Sequence, residues 1–531
     1  MSAALRVGDF DLHLAVYTCE RTFYAPTGWQ TDNGRHRATG LVNGDGPEAR
    51  PAPNAELRVE VLPAADKLIR LRVHTRHEAA LKAIKIALDL PCMKMLAPED
   101  VELEDATWRD WHFPRDWRTG FAVWAAGQRY FTVVTHEAPW RFKRLRALRT
   151  GDSMRLEIIQ DANLRDRTRS FTSSVWEIGY RDAIGPMLAD YARFVQQGHG
   201  ALAFDRRQDM PDWVRRLGLV VNLHNTDWNG YCHLDFAAMS RACTALAERF
   251  PPEQTLLYPI GWDGRYMRDY PDYRPSTALG GHDGFKRFCE QARGQGFHIM
   301  PHLNAMAINM RHPLYLQHLK DYVLRDHNGV PQHSFKIDWD HDGLGDPAHA
   351  YIALQPPALR EILVDAIERL VRDYGIDAVF LDETCNVFYN DPAWDQVEGV
   401  RLLVRDLHQA LPGLLIAGEE WNEMLLGLTP VVQIWEETAD GRVGFGRGRS
   451  PLLRAWAAQF VRACGYLALA SPDGQTGVHE WPDKPWIDER DNEAFYLPTL
   501  SITGRTLERG LAGIDATVTR ARDYVSRFVS P

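Results

Sequence analysis

Apolar side chains recur at every second position through much of the first two hundred residues. Leu57, Val59 and Val61 alternate with Arg58 and Glu60. Ile69, Leu71 and Val73 alternate with Arg70, Arg72 and His74, and Ile84, Ile86, Leu88 and Leu90 repeat the pattern. A period of two puts successive side chains on opposite faces of a strand. Phe121 to Val134 reads as a hairpin that turns near Ala126-Gly127. Short alternating segments with turn residues between them predict an antiparallel β-sandwich over residues 1–205. Around Ile184 to Gln197 the period becomes helical, which predicts a connector, and Arg206 to Asp212 gives a polar boundary.

From Leu217 the pattern changes to short apolar runs separated by amphipathic stretches, the signature of parallel strands alternating with helices. The predicted strands are Leu217–Leu223, Thr255–Ile260, His298–Pro301, Ala378–Leu381, Leu414–Ala417, Val431–Ile434, Tyr466–Ala470 and Phe495–Ile502. Before the fourth, Leu359, Ile362, Leu363, Ala366, Ile367, Leu370 and Val371 form one helical stripe, with Pro357 at its start and Gly375 at its end. Eight such units predict a multidomain β plus α/β chain, with a (β/α)₈ barrel over residues 206–505. A doubly wound sheet is disfavoured, because no glycine-rich phosphate loop follows the first strand. Residues from about 304 to 357 form an insertion after the third strand, and 506–531 read as a final helix. Within the insertion, Asp338, Asp340 and Asp342 before Gly343 have the spacing that starts a calcium loop, but the twelfth position is His349 instead of Glu. A polar and aromatic lid is the preferred reading, with no metal site.

Charge narrows the classes of partner. The 531 residues carry a net charge of −10 with the two signs mixed along the chain, which argues against nucleic acid and anionic membranes. The first residues lack the basic-then-apolar run of a signal peptide, and no apolar run is long enough to span a bilayer. Seven scattered cysteines without metal spacing read as reduced thiols, and together these features suggest a cytoplasmic location. A homo-oligomer is compatible with all of this.

Candidate chemistry collects at the carboxyl ends of the predicted strands, where a barrel carries its active site. His224 and Asn225 follow the first strand, Trp262 and Asp263 the second, and His302 and Asn304 the third. Asp382 and Glu383 end the fourth, Glu419, Glu420 and Trp421 the fifth, and Trp435, Glu436 and Glu437 the sixth. Carboxylates and amides take sugar hydroxyls, while indole faces take the C–H side of a ring. Two successive strands that each deliver a carboxylate to one end of a sheet suit acid–base work on a glycosidic bond. Blander readings stand beside these. Glu383 and Glu423 are expected to cap following helices, His224 and His302 to be hydrogen-bonded at strand ends, and Trp435 to serve as core as much as platform.

Trp262-Asp263-Gly264, Tyr270-Pro271-Asp272-Tyr273 and Gly280-Gly281-His282-Asp283, with Phe297-His298-Ile299-Met300-Pro301 after them, resemble one region of a known group of enzymes. These are (β/α)₈-barrel glycoside hydrolases with an N-terminal β-sandwich, as in the α-galactosidase and α-glucosidase clan and the endo-α-N-acetylgalactosaminidases. The resemblance covers roughly Leu217 to Glu437 and lies in architecture and carboxylate placement. It implies a nucleophile at Asp382. It also implies an acid/base after the fifth strand, at Glu419 or Glu420, as in the α-amylase and endo-α-N-acetylgalactosaminidase families. In the α-galactosidase clan the acid/base is an Asp after the sixth strand, where this chain has Glu436 and Glu437, so the match departs there. Strand alternation lets only one of Glu419 and Glu420 face the axis, and Glu419, directly after Gly418, is preferred.

The implied activity is retaining hydrolysis of an α-glycosidic bond in an oligosaccharide or glycoconjugate, without a cofactor. Two other readings are a non-catalytic carbohydrate-binding barrel and a metal-dependent sugar isomerase or lyase using His302 and Asp263.

Overall fold

The computed structural model describes residues 3–43, 50–52, 54–138, 140–226, 232–264, 270–326, 328–333, 349–385, 390–434, 450–465, 494–502, 504–508, 510–511 and 514–529. Two antiparallel nine-stranded sheets run from Leu5 to Arg181. Their inner faces share one core, to which Leu12, Ile84, Ile86 and Leu156 come from one sheet and Leu71, Val73, Trp124 and Ile178 from the other. The alternation read at residues 57–90 is the alternation of these two faces. The hairpin pairs Phe121 with Val134 through Ala126 with Arg129 and turns at Gly127, whose φ of 65° is a conformation glycine adopts without strain. A helix follows over Gly185–His199, entered through Pro186 and closed by left-handed Gly200.

The remainder is α/β. Leu219–His224 pairs in parallel with Thr255–Ile260 on one side and Thr499–Ile502 on the other. A second parallel sheet runs His302–Asn304, Ala378–Asp382, Leu415–Glu419, Val431–Ile434, Arg462–Gly465. The predicted third strand, His298–Pro301, is shorter, His298–Ile299, and a second strand, His302–Asn304, follows beyond its predicted end; Pro301 between them has no N–H to give a ladder. Met300 N–H donates to Leu257 O, and Pro301 O accepts from Phe380 N–H, so the break hands the chain from one neighbour to the next.

Two readings need correction, and a third falls outside the described residues. The strand expected at Tyr466–Ala470 lies outside the described residues, and one is found just upstream at Arg462–Gly465. The last strand is shorter than predicted, Thr499–Ile502. Phe495 and Leu497, before Pro498, instead exchange backbone hydrogen bonds with Ala463. The final helix is two pieces, Gly504–Glu508 and Asp515–Phe528. Within the insertion, Ala307–Asn309 pairs antiparallel with His349–Tyr351. The Asp338–Asp342 loop lies outside the described residues.

Every residue of the strands Leu219–His224, Thr255–Ile260, Ala378–Asp382 and Leu415–Glu419 is buried, as expected where both faces of a parallel sheet are covered. Alternation separates the two faces. Val221, Leu257, Val379, Leu381 and Ile416 pack with the helices Phe236–Ala247, Gly281–Gln295, Pro357–Tyr374 and Gln396–Ala410. Val220, Leu256, Tyr258, Met300, Ala378, Phe380, Leu415, Ala417, Val431 and Cys464 gather in a separate inner cluster. Phe204, Met210, Val214 and Leu217 join that cluster, and all of them precede the first parallel strand.

Candidate active site

Continuing the inner series by two residues gives the site. After Ala378 and Phe380 comes Asp382, and after Leu415 and Ala417 comes Glu419. Both close their strands at the carboxyl end, and both are buried. The two strands pair up to Leu381 with Gly418, so the acids lie one step further along on neighbouring strands. Such strands are about 4.8 Å apart.

Asp382 is held from the third strand. Asn304 lies opposite it in the register, and its Nδ2 donates to Asp382 Oδ2 at 3.2 Å. The other end of that amide is fixed, since Asn304 Oδ1 accepts from Met306 N–H at 2.9 Å and Ala307 N–H at 2.7 Å. Tyr273 Oη both donates to Asn304 O and accepts from Asn304 N–H. His302 Nε2 is 3.5 Å from Asp382 Oδ2, and its Nδ1 is 2.7 Å from Tyr258 Oη. Trp262 is fully buried, stacks on Phe285 and donates its indole N–H to His302 O. It is therefore a support for His302, contrary to the expectation of a sugar platform.

Glu419 Oε2 accepts from Glu383 N–H at 2.9 Å, which ties the two strand ends together. Its backbone N–H donates to Thr384 Oγ1 at 2.8 Å. Glu420, the next residue, is left-handed at φ 56°, and its carboxylate pairs with Arg118 of the N-terminal sheets at 2.6 Å. Only Glu419 continues the inner series.

Glu383 does not cap a helix as expected. The next helix, Gln396–Ala410, is capped by Asp395, whose side chain accepts from Glu398 N–H. Glu383 is left-handed at φ 65° and partly buried, with Tyr351 Oη 3.4 Å from its Oε1. Burial, and then the neighbouring Asp382 charge, push its carboxyl up to about 8. Glu423 caps no helix either, since turns follow the Leu415–Glu419 strand. Its carboxylate accepts from Gly120 N–H and Tyr191 O–H, and burial pushes it up to about 7.

Two expected contacts with ligand, Asn225 and Trp421, are taken up by the fold. Asn225 is buried and donates to Leu234 O, so it closes the loop after the first strand. Trp421 is buried near Trp456 and Phe495. His224 is buried, with its ring centroid 6.1 Å from that of His233. Asp263 is partly buried on a turn that runs from Gly261 to Gly264. A Cβ on Gly261 would lie 2.1 Å from Thr226 O, so that turn requires glycine. Trp435, Glu436 and Glu437 lie outside the described residues. Among the described residues no group of three or more His, Cys, Asp or Glu forms a metal cluster, and no helix is long and apolar enough to cross a membrane.

Sequence reasoning missed Tyr258, Tyr273, Tyr351 and Arg118. Tyr258 was findable, as the inner position between Leu256 and Ile260. Tyr273 stood in the Tyr270-Pro271-Asp272-Tyr273 motif without a role given to it, and Tyr351 and Arg118 reach the site through tertiary contacts with no local pattern.

Compared with known proteins, residues 191–399 match a family described as a domain of unknown function, DUF6259. No curated protein matches by sequence. Solved structures match by shape. The ligand-free α-N-acetylgalactosaminidase NagBb from Bifidobacterium bifidum superposes with a TM-score of 0.65 at 12% identity, over 96% of this chain and 92% of that one. Its GalNAc complex gives 0.61 at 12% identity, over 87% and 81%. The GH36 α-galactosidase AgaA from Geobacillus stearothermophilus gives 0.50 at 12% identity, over 99% and 77%. The likeness is one of fold, and it falls on the group of proteins that the sequence motifs resemble.

Proposed function

We propose that this chain is a glycoside hydrolase that cleaves an α-glycosidic bond with retention. In this reading residues 1–205 are a β-sandwich with its connector helix, residues 206–505 a closed (β/α)₈ barrel, and residues 506–531 a terminal segment. The observation that carries it is the pair of buried acids, Asp382 and Glu419, on one face of adjacent strands at one level. A spacing set by neighbouring strands suits the roughly 5–5.5 Å between carboxyls of retaining enzymes better than the roughly 6.5–9.5 Å of inverting ones.

In the first step Asp382 attacks the anomeric carbon while the bond to the leaving oxygen breaks and Glu419 gives that oxygen its proton. In the second, Glu419 takes a proton from water as the water attacks the anomeric carbon and frees Asp382. Asn304 Nδ2 and His302 supply polar partners to the carboxylate. Glu419 is preferred to Glu420 because the Glu420 carboxylate is already engaged by Arg118.

The fold relatives are named for α-N-acetylgalactosaminides and α-galactosides, so these sugars head the test panel. Release of nitrophenol from aryl α-N-acetylgalactosaminide and α-galactoside is expected, with aryl β-galactoside inert and chelator without effect. NMR of the first product should show the α anomer. An initial β anomer would make Asp382 a general base, and a panel without turnover would favour the sugar-binding reading.

A further inference from the structure

The proposed reaction needs Glu419 to present its carboxyl at one fixed point. Part of what could fix it comes from the N-terminal sheets. The segment between the strands Trp108–Phe113 and Phe121–Ala126 reaches the end of the Leu415–Glu419 strand. Arg118, in that segment, is buried and pairs with Glu420, and its guanidinium lies 5.5 Å from the centre of the Trp421 ring. Its carbonyl accepts from Glu423 N–H at 2.9 Å, and Gly120 N–H donates to the Glu423 carboxylate at 2.7 Å. Four contacts from one short segment therefore grip residues 420–423.

The grip acts where the strand turns. Glu420 is left-handed, a conformation L residues rarely hold without a restraining contact. Its backbone N–H still donates to Gln433 O at 2.7 Å, so the turn begins at that residue. A buried charge pair resists rearrangement, because moving either member leaves the other charge unpaired. Glu419 stands just before this turn, with its backbone on Thr384 and its carboxylate on Glu383 N–H.

We propose that Arg118 is a positioning residue for Glu419: by pairing with Glu420 it fixes the turn that ends the strand, and so aims the proton donor. The inference rests on the reading of Glu419 as that donor. It makes the N-terminal sheets part of the catalytic apparatus, although none of their side chains is required to touch substrate.

The test compares two leaving groups on the full-length protein. A 4-nitrophenyl glycoside needs little help from an acid, whereas a methyl glycoside depends on it. With 4-nitrophenyl and methyl α-N-acetylgalactosaminide as probes, Arg118→Met is expected to lower kcat on the methyl glycoside by about tenfold or more. On the nitrophenyl glycoside the loss should stay within about threefold, with KM little changed on both. Arg118→Lys should recover part of the loss. Equal losses on the two probes, or none on either, would overturn the positioning role, since poor folding lowers all substrates alike. Glu419→Ala, assayed in parallel, separates the two levels of the reading. If it fails to discriminate between the probes, the donor assignment falls; if it discriminates and Arg118→Met does not, only the positioning role falls. Should Arg118→Met not fold by circular dichroism, Glu420→Gln is expected to give the same split, and equal losses there would likewise overturn the proposal.

Discussion

The two strand ends at the centre of the site share one local design and put it to different uses. Each places an acid in the inner series, Asp382 or Glu419, and follows it with a left-handed glutamate, Glu383 at φ 65° or Glu420 at φ 56°. Past that point the surroundings differ. Glu420 meets the guanidinium of Arg118 from the N-terminal sheets. Glu383 meets a tyrosine hydroxyl from the insertion, while burial first and then the charge of Asp382 hold its proton up to about 8. The same backbone and side chain thus give a paired carboxylate at one strand end and a group poised to titrate near neutrality at the other. Local sequence determines the turn, and the tertiary neighbour determines the charge.

The comparison can be broken most severely at the inner acids. Asp382→Ala is expected to lower kcat/KM by on the order of 10⁴-fold or more on every glycoside, whatever its leaving group. Glu419→Ala should do so only where the leaving group is poor, with azide restoring the second step. Steady-state rates on nitrophenyl and methyl glycosides decide between these patterns. If both variants lose the same factor on both substrates, the two strand ends do not divide the chemistry.

Stability should separate the two outer glutamates. Glu420→Ala leaves Arg118 buried without its partner, at a cost of about 3–5 kcal/mol. Glu383→Ala removes a partly buried, protonated group and should cost about 1 kcal/mol or less. Urea denaturation of both variants gives the ranking, and comparable costs would mean that Arg118 adds nothing particular.

A smaller effect lies in pH. An ordinary glutamate value of 4.5 is raised to about 8 at Glu383 and about 7 at Glu423. The folded protein therefore holds both protons more tightly than the unfolded chain. Their stabilisation is complete below about pH 4.5 and is lost as pH rises through the folded values. The groups that act on Glu383 are the charges of Asp382 and Arg115 and the Tyr351 hydroxyl. Glu383→Gln is expected to flatten the fall in Tm between pH 7 and 8 while leaving the Glu423 part below pH 7. An unchanged slope above pH 7 would count against the raised proton affinity of Glu383.

The least effect is expected beyond both turns. Asp263→Asn should raise KM about fivefold at nearly constant kcat, the worth of one hydrogen bond to a sugar hydroxyl. A change confined to kcat would move Asp263 from binding to chemistry.

What could be read from the sequence was whatever depends on neighbours along the chain. The stripe through Leu359, Leu363, Ala366, Ile367 and Leu370 is buried in one face of the Pro357–Tyr374 helix, with Pro357 and Gly375 at its ends as read. Alternation indicated that only one of Glu419 and Glu420 continues the inner series, and the inner cluster agrees with Glu419. Pro301 was read as the end of the third strand, so the strand His302–Asn304 beyond it fell among the residues taken to follow that strand. The tryptophans misled for another reason. Trp262 and Trp421 have the surface and polar handle of a sugar platform, and only three-dimensional packing shows that Phe285 covers one, and Trp456 and Phe495 flank the other. Arg118 lies in the other half of the fold from Glu420, and no pattern local to either predicts their meeting.

The clamp on Asn304 also bears on how the protein ages. Asparagine side chains in proteins hydrolyse slowly to aspartate when the following backbone nitrogen attacks the amide carbon. Here that nitrogen, on Ala305, donates its hydrogen to Asp382 O at 3.0 Å, and the amide itself is held at both ends. Loss of the amide would replace a donor with a second negative charge against Asp382. The hydrogen bonds that orient Asn304 therefore also keep its attacking nitrogen out of reach, and they protect the site from the spontaneous change that would harm it most.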